Sequence, residues 1–286
     1  EARGRAWQAA VAQALPDVRF SCWPDVEDAA SIRHVVAWTL SDEVIAALPN
    51  IEILFSVGAG IDQLDLSRLP PNLRVVRMIE PGITDTMADY VTMAVLALHR
   101  DLPFHISEQR AGRWTWRDVS PAYDCKVGVM GLGSLGSAIA QDLATAGYDV
   151  RGWARRSKDL PGVQTFAGAE KLNPFLNGLE LLINLLPLTH ETRGILGSAT
   201  FERLANGAAL VNCGRGGHLN IDDLEQALAR GKLRGALLDV FEQEPLPVDH
   251  RLWKMPGVTI TPHMASAASH DCIAEQVAEN FRRLNS

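Results

Sequence analysis

The stretch VGVMGLGSLGSAIA, residues 127–140, decides the fold. A short apolar run ends in Gly131, Gly133 and Gly136, spaced G-x-G-x-x-G, and the residues beyond continue at helical period. A strand that enters a helix through such a loop is the phosphate-cradling turn of a dinucleotide-binding βαβ unit. Gly131 permits the tight turn, Gly133 admits a pyrophosphate to the backbone, and Gly136 lets helix and strand pack closely. Ser134 and Leu135 fall at the helix N-terminus, whose N–H groups favour an anion.

Next comes VRGWARRSKDL, residues 150–160. An NAD site carries an Asp or Glu about 20 residues beyond the glycines, to accept hydrogen bonds from the ribose 2′-hydroxyl. Counting from Gly136 lands on Ala154, with Arg155, Arg156, Ser157 and Lys158 following. No carboxylate stands there to repel a 2′-phosphate, and two planar guanidinium groups are suited to hold one. The pattern predicts NADP (NADPH) as cofactor.

The same βα rhythm continues outward. KVGVM, YDVRGW, LELLINLL, GAALVNC, LRGALLDVF and GVTITPH are short runs rich in Val, Ile and Leu, of the kind buried on both faces of a parallel sheet. NIDDLEQALARG reads as a helix capped by Asn220 and ended at Gly231. Before Lys126, DVRFSCW, HVVAWTL, IEILFSVG and LRVVRM read as strands, with SDEVIAALP a helix among them. Thr86 and Asp89 form a capping signature ahead of the long apolar helix YVTMAVLALHR, and after Pro262 the chain is helical again from SHDCIAEQV to its end. The predicted class is α/β: a doubly wound parallel-sheet (Rossmann) cofactor domain, residues 87–263, inserted in a smaller flavodoxin-like α/β substrate domain. Residues 1–86 and 264–286 make up the latter, with crossings near 82–87 and His263.

Composition fits this reading. The 286 residues are 47% hydrophobic and 21% charged, values of a globular protein that holds two cores. No apolar run is long enough to span a bilayer. A net charge of −7 argues against nucleic acid or an anionic membrane as partner. Cys22, Cys125, Cys213 and Cys272 form no C-x-x-C pair and read as reduced thiols of a cytoplasmic protein, without a disulfide frame or a zinc site. The chain opens on a helical pattern without an initiator Met or a signal-peptide core.

In open α/β sheets, ligands bind beyond the carboxyl ends of the strands. Three such ends carry chemistry: Arg215 after GAALVNC, Asp239 and Glu244 after GALL, and His263 after VTITP. A guanidinium pairs with the carboxylate of a 2-oxo acid and polarises its ketone. An imidazole supplies a proton as hydride reaches carbon, and a carboxylate beside it steadies its charged form. No metal is needed.

These residues resemble the D-2-hydroxyacid dehydrogenases over nearly the whole chain, including INLLPLTHETRGIL and SVGAGID. WARRSKDLPGVQTFAG, EPLP…LW and VTITPH are most similar to the family's glyoxylate/hydroxypyruvate reductase A branch. The resemblance implies Arg215, Glu244 and His263 as the catalytic set. It also implies backbone N–H groups of Gly58, Ala59, Gly60 and Ile61 at the substrate carboxylate, and Trp38 on the substrate side, with a simple core tryptophan as the alternative. Leu186 and Pro187 would pack near the cofactor, Cys213 would lie at its strand end, and Asp239 would face the nicotinamide carboxamide. Trp114 and Trp116 fit packing better than a site or a dimer interface.

The implied activity is NADPH-dependent reduction of small 2-oxo acids, glyoxylate and hydroxypyruvate, in a homodimer joined through the helix after Thr86. Two alternatives stay open: a reductase of bulkier acids such as phenylpyruvate, with specificity at Trp38 and Met78, and a non-catalytic dinucleotide sensor. Two departures stand out. Relatives of this type begin with a strand missing here and run on past RRLNS, so a longer natural chain is expected at both ends. Gly216 and Gly217, in GGHLN, replace a more apolar segment and would loosen the loop of Arg215.

Overall fold

Helices of modest length alternate with strands of three to six residues throughout the computed structural model. It describes residues 2–57, 60, 64–77, 81–266 and 270–285. The elements run α1 (Ala2–Ala14), β1 (His34–Ala37), α2 (Asp42–Ala47), β2 (Ile53–Ser56), β3 (Arg74–Arg77) and α3 (Pro81–His99). They continue as α4 (Leu102–Arg110), β4 (Lys126–Met130), α5 (Ser134–Thr145), β5 (Asp149–Ala154), β6 (Val163–Ala167), α6 (Leu172–Leu176) and β7 (Leu181–Asn184). The remainder is α7 (Ser198–Phe201), β8 (Ala208–Asn212), α8 (Ile221–Ala229), β9 (Leu233–Leu238), β10 (Val258–Ile260) and α9 (His270–Asn285). The chain divides into two compact units, Glu1–Ile83 with Ala267–Ser286, and Thr84–Ser266.

The first unit holds a parallel sheet in the order β1-β2-β3. Its central strand β2 is buried along its length, as a strand covered on both faces must be. Val11 of α1 and Leu15 just past it close against Ala274 and Ala278 of α9, so the two ends of the chain share one apolar cluster. DVRFSCW, expected as a strand, is irregular instead. Val18 and Phe20 pack on the α1–α9 cluster, and the Gln8 amide donates to the Phe20 carbonyl at 3.0 Å. These contacts hold the half-buried side of the segment, whose Asp17, Arg19 and Trp23 stay exposed, and among the described residues it pairs with no strand.

The second unit is built on seven parallel strands in the order β10-β9-β8-β7-β4-β5-β6. Strand order reverses between β4 and β7, which places the glycine loop after β4 at the switch point where such sheets bind ligands. β7 and β8 are fully buried. Edge strand β6 escapes the sequence reading because its burial is only partial and its apolar pattern weak. The α/β class and the dinucleotide-binding architecture are as expected.

One boundary differs from the sequence reading. α3 begins at Pro81, so Thr86 and Asp89 lie within the helix and do not mark its start. Proline suits the first helical turn, where its missing N–H costs no bond. The last helix, α9, begins at His270, inside the SHDCIAEQV stretch that the sequence reading makes helical. Among the described residues, no helix is long and apolar enough to cross a membrane.

The α8 boundaries follow local chemistry. Asn220 accepts from the N–H groups of Asp222 and Asp223 at 3.1 and 3.2 Å, and Gly231 takes φ 72° just past the helix. Asn220→Ala is expected to cost about 1 kcal/mol of stability, read as a lower urea midpoint at unchanged slope.

Candidate active site

The glycine loop has the geometry its spacing requires. Gly131 adopts φ 99°, and a Cβ there would lie 2.8 Å from the Leu185 carbonyl oxygen. A Cβ on Gly136 would sit 2.0 Å from the Gly131 carbonyl oxygen, so helix and loop touch as only glycine allows. Gly133 differs: a Cβ there meets nothing within 4 Å. Its backbone faces open space at the N-terminus of α5, where no side chain caps the first turn. Ser134 is exposed there, while Leu135 turns onto the core. Uncapped N–H groups beside a bare backbone fit a pyrophosphate.

Arg155, Arg156, Ser157 and Lys158 follow β5 directly and are exposed. The Thr165 hydroxyl donates to the Lys158 carbonyl at 2.6 Å and pins this turn to β6. Neither arginine forms an ion pair with a described residue. Two guanidinium groups are therefore presented beyond the strand end next to the glycine loop, where a 2′-phosphate would need them.

Strands β7 and β8 end in Asn184 and Asn212, both fully buried. The Asn184 amide donates to Asn212 Oδ1 at 2.9 Å, and the same oxygen accepts from the Gly214 N–H at 3.2 Å. Asn184 Oδ1 takes the Leu186 N–H at 3.2 Å, while the Asn212 amide donates to the Arg215 carbonyl at 3.2 Å. One buried amide pair thus sets both the Leu186–Pro187 loop and the Arg215 loop. His218, also fully buried, adds a link. Its Nδ1 accepts the Arg215 N–H at 3.0 Å, which leaves Nε2–H to donate to the Pro187 carbonyl at 3.2 Å. The sequence reading assigns no task to His218 or to either asparagine; amides directly after all-apolar strands were the available signal. Cys213 packs into the core, where burial holds its thiol well above the usual value.

Gly216 and Gly217 do not loosen the Arg215 loop. A Cβ on Gly216 would lie 2.0 Å from the Phe241 carbonyl carbon and 2.1 Å from Glu242 N. The glycine is there because two backbones meet, and their contact brings the loop of Arg215 against the loop of Glu244.

His263 and Glu244 form the centre of the site. His263 Nδ1 lies 2.6 Å from Glu244 Oε2, and Glu244 Oε1 accepts the Phe241 N–H at 2.8 Å. Burial pushes the Glu244 carboxyl up, but the hydrogen bonds from His263 and Phe241, with the nearby charges of His263 and Arg215, bring it below its ordinary value. Arg215 itself bends so that its guanidinium donates to the Gly214 carbonyl at 2.7 Å.

His263 sits at φ 51°, a left-handed conformation that costs a non-glycine residue roughly 1–2 kcal/mol. Asp239 holds it there. The His263 N–H donates to the Asp239 carbonyl at 2.9 Å, and the Met264 and Ala265 N–H groups reach the Asp239 carboxylate at 3.0 and 2.9 Å. The Thr261 hydroxyl adds a third donor to that carboxylate at 2.6 Å. Asp239 is only 1% exposed, so in this structure its charge serves the turn.

Other expected site residues belong to the first unit or lie outside the described residues. Gly58, Ala59, Ile61 and Met78 are outside them; Gly60 is half-buried in the first unit. Trp38 follows β1 and is 38% exposed, so it is no core tryptophan. Trp114 and Trp116 are 100% and 83% exposed, which overturns their reading as packing residues. Their loop is held from below: buried Glu108 accepts from Arg113 and from the Thr115 hydroxyl, bonds that draw its carboxyl down to about 2.

The close approach at Gly216 makes a contrast available. Gly216→Ala should cost at least about 1–3 kcal/mol through forced backbone displacement. Gly217→Ala, whose Cβ meets mainly the mobile end of Arg193, should cost less. Equal unfolding free energies for the two variants would contradict this account.

Comparison with known proteins agrees with the geometry. Residues 92–265 match the model of the D-isomer specific 2-hydroxyacid dehydrogenase NAD binding domain. Glyoxylate/hydroxypyruvate reductase A of Serratia proteamaculans is 38% identical over 97% of this chain and 90% of its own. A D-isomer specific 2-hydroxyacid dehydrogenase of Xanthobacter autotrophicus, solved in complex with NADPH and MES, is 39% identical with a TM-score of 0.88, covering 99% of this chain and 91% of that one. An NADPH-dependent glyoxylate/hydroxypyruvate reductase of Sinorhizobium meliloti, solved with NADP and sulfate, is 33% identical with a TM-score of 0.90 over 98% and 92% of the two chains. With its glycine loop at the switch point and an imidazole–carboxylate pair beyond the strand ends, this chain belongs to the D-isomer specific 2-hydroxyacid dehydrogenase family.

Proposed function

We propose that this enzyme reduces small 2-oxo acids, glyoxylate and hydroxypyruvate, to glycolate and D-glycerate with NADPH. The observation that carries the reading is the 2.6 Å His263–Glu244 pair, beside Arg215 and in the same unit as a glycine loop flanked by two presented arginines. The names of the relatives from Serratia and Sinorhizobium support it.

Gly131, Gly133, Ser134, Leu135 and Gly136 would hold the pyrophosphate of the dinucleotide, and Arg155, Arg156 and Ser157 its 2′-phosphate. Leu186, Pro187 and the strand end at Cys213 would border its nicotinamide half. The chemistry a bound NADPH supplies is the hydride. Arg215 pairs with the substrate carboxylate and draws charge from the ketone oxygen. His263, with Nδ1 committed to Glu244, passes a proton from Nε2 to that oxygen as the carbon is reduced. Glu244 favours the charged ring and orients it. Gly58, Ala59, Gly60, Ile61 and Trp38, in the other unit, belong to substrate binding in this reading.

The enzyme works as a homodimer in the same proposal. Met93 and Leu96 stand 45% and 49% exposed on α3, whose opposite side is buried through Val91, Ala94 and Val95. Trp114 and Trp116 are exposed as well, and large apolar side chains left in water are what such an interface would cover. A molar mass of two chains is expected by light scattering, falling to one chain in Met93→Glu/Trp116→Glu; a wild-type monomer would remove this part of the reading.

Initial rates with glyoxylate, hydroxypyruvate, pyruvate and phenylpyruvate, each with NADPH and NADH, test the reaction. Fast NADPH oxidation with the first two is expected. The double variant Arg155→Ala/Arg156→Ala should raise KM for NADPH about tenfold or more, as loss of charge-assisted bonds does, and leave NADH unaffected. Turnover with NADH alone would refute the cofactor assignment, and inactivity with all four acids the reaction.

A further inference from the structure

The turn that carries His263 has a brace from outside the sheet. Tyr90, on α3, is 8% exposed and packs in the same cluster as Cys213 and Ala265. Its hydroxyl forms a short hydrogen bond with the Thr261 hydroxyl. Chemistry sets the direction of this bond. Asp239 as a carboxylate only accepts, and the single Thr261 hydroxyl proton is spent on it at 2.6 Å. Tyr90 must therefore donate to Thr261. Burial raises the phenol well above its ordinary value, so the donor keeps its proton across the working range of pH.

We propose that Tyr90 is a positioning residue for the reaction: through Thr261 it polarises and fixes the Asp239 carboxylate, which holds His263 in its left-handed turn opposite Glu244. Three connections make the path short. Thr261 precedes Pro262, whose ring locks φ and restricts the residue before it, so the setting of Thr261 passes to His263 with little slack. Asp239 gathers the N–H groups of Met264 and Ala265 on the far side of the imidazole. A donor chain ending on a buried carboxylate strengthens each of its bonds in turn. The same chain joins α3, by which the main chain enters the second unit, to the segment by which it leaves. This inference rests on His263 as the acid/base of the proposed reaction.

The test uses Tyr90→Phe, Thr261→Val, Thr261→Ser and the double variant Tyr90→Phe/Thr261→Val in the full chain. Tyr90→Phe and Thr261→Val should each lower kcat with the best 2-oxo acid by about tenfold or more, the scale of a slightly misplaced catalytic group, with KM for NADPH unchanged. Thr261→Ser, which keeps the hydroxyl, should retain wild-type kcat. The double variant should lose no more than the worse single one, because one chain is broken twice. A displaced His263 also ceases to hold the Glu244 carboxyl down, so the acid limb of the kcat profile should move to higher pH. Wild-type kcat and an unmoved acid limb in Tyr90→Phe, even with a lowered melting temperature, would show the hydroxyl to be merely a satisfied core group and overturn the proposal. A readout independent of turnover is the pH titration of the His263 Cε1–H resonance. A changed titration in Tyr90→Phe supports the brace even if the wild type reduces no 2-oxo acid, whereas a superimposable titration overturns it.

Discussion

A carboxylate with almost no access to water governs this site. Burying the charge of Asp239 would cost several kcal/mol without compensation, and the chain compensates by bending donors around it. The N–H groups of Met264 and Ala265 and the hydroxyl of Thr261 converge on its two oxygens. The segment after β10 can supply them only by turning sharply, and that turn sets His263 at a positive φ. The strain is therefore held in place by the charge, and it aims the imidazole at Glu244. Strain is often kept at residues with a chemical task, the role the proposed reaction gives His263, and here its restraint is identifiable.

The neighbouring loops follow from a second constraint, the need to satisfy amides at fully buried strand ends. Asn184 and Asn212 end adjacent parallel strands, and each spends its side chain on a backbone group of the loop that follows and on the other. The loops at Leu186 and Arg215 are consequently set relative to each other before any ligand arrives. His218 and the contact of Gly216 with the Phe241–Glu242 peptide complete the frame. A preorganised polar site of this kind loses little in reorganisation when charge develops on a substrate. Surface chemistry at the glycine loop is of the opposite kind, open and bare, because there the ligand itself supplies the missing partners.

Much of the molecule was legible from residues alone. The glycines, the missing acid and the apolar strand runs are local signals, and the architecture they implied is the one present. Helix α8 could be bounded to within a residue by Asn220 and Gly231, since capping is decided within one turn. Failures came where packing or a second local signal outweighed the pattern that was read. DVRFSCW has strand composition, yet Val18 and Phe20 pack on the α1–α9 cluster and the segment stays irregular. Thr86 and Asp89 have capping spacing, yet Pro81 begins the helix earlier. Trp114 and Trp116 look like core residues by type, yet Glu108 holds their loop on the surface.

Residue types and spacing were enough to mark a dinucleotide loop, to propose a place for a 2′-phosphate, and to name Arg215, Glu244 and His263 as candidates at three strand ends. They carry that information because each is a property of a short stretch of chain. How those side chains meet is another matter. The reversal of Gly216 from a loosening to a tightening residue, and the commitment of Asp239 to the His263 turn, depend on which backbones touch across the sheet. So does the link from Tyr90 to Thr261, 171 residues apart. Those contacts join distant segments through packing and buried hydrogen bonds, whose energies exist only once the strands are in register, so no local pattern announces them.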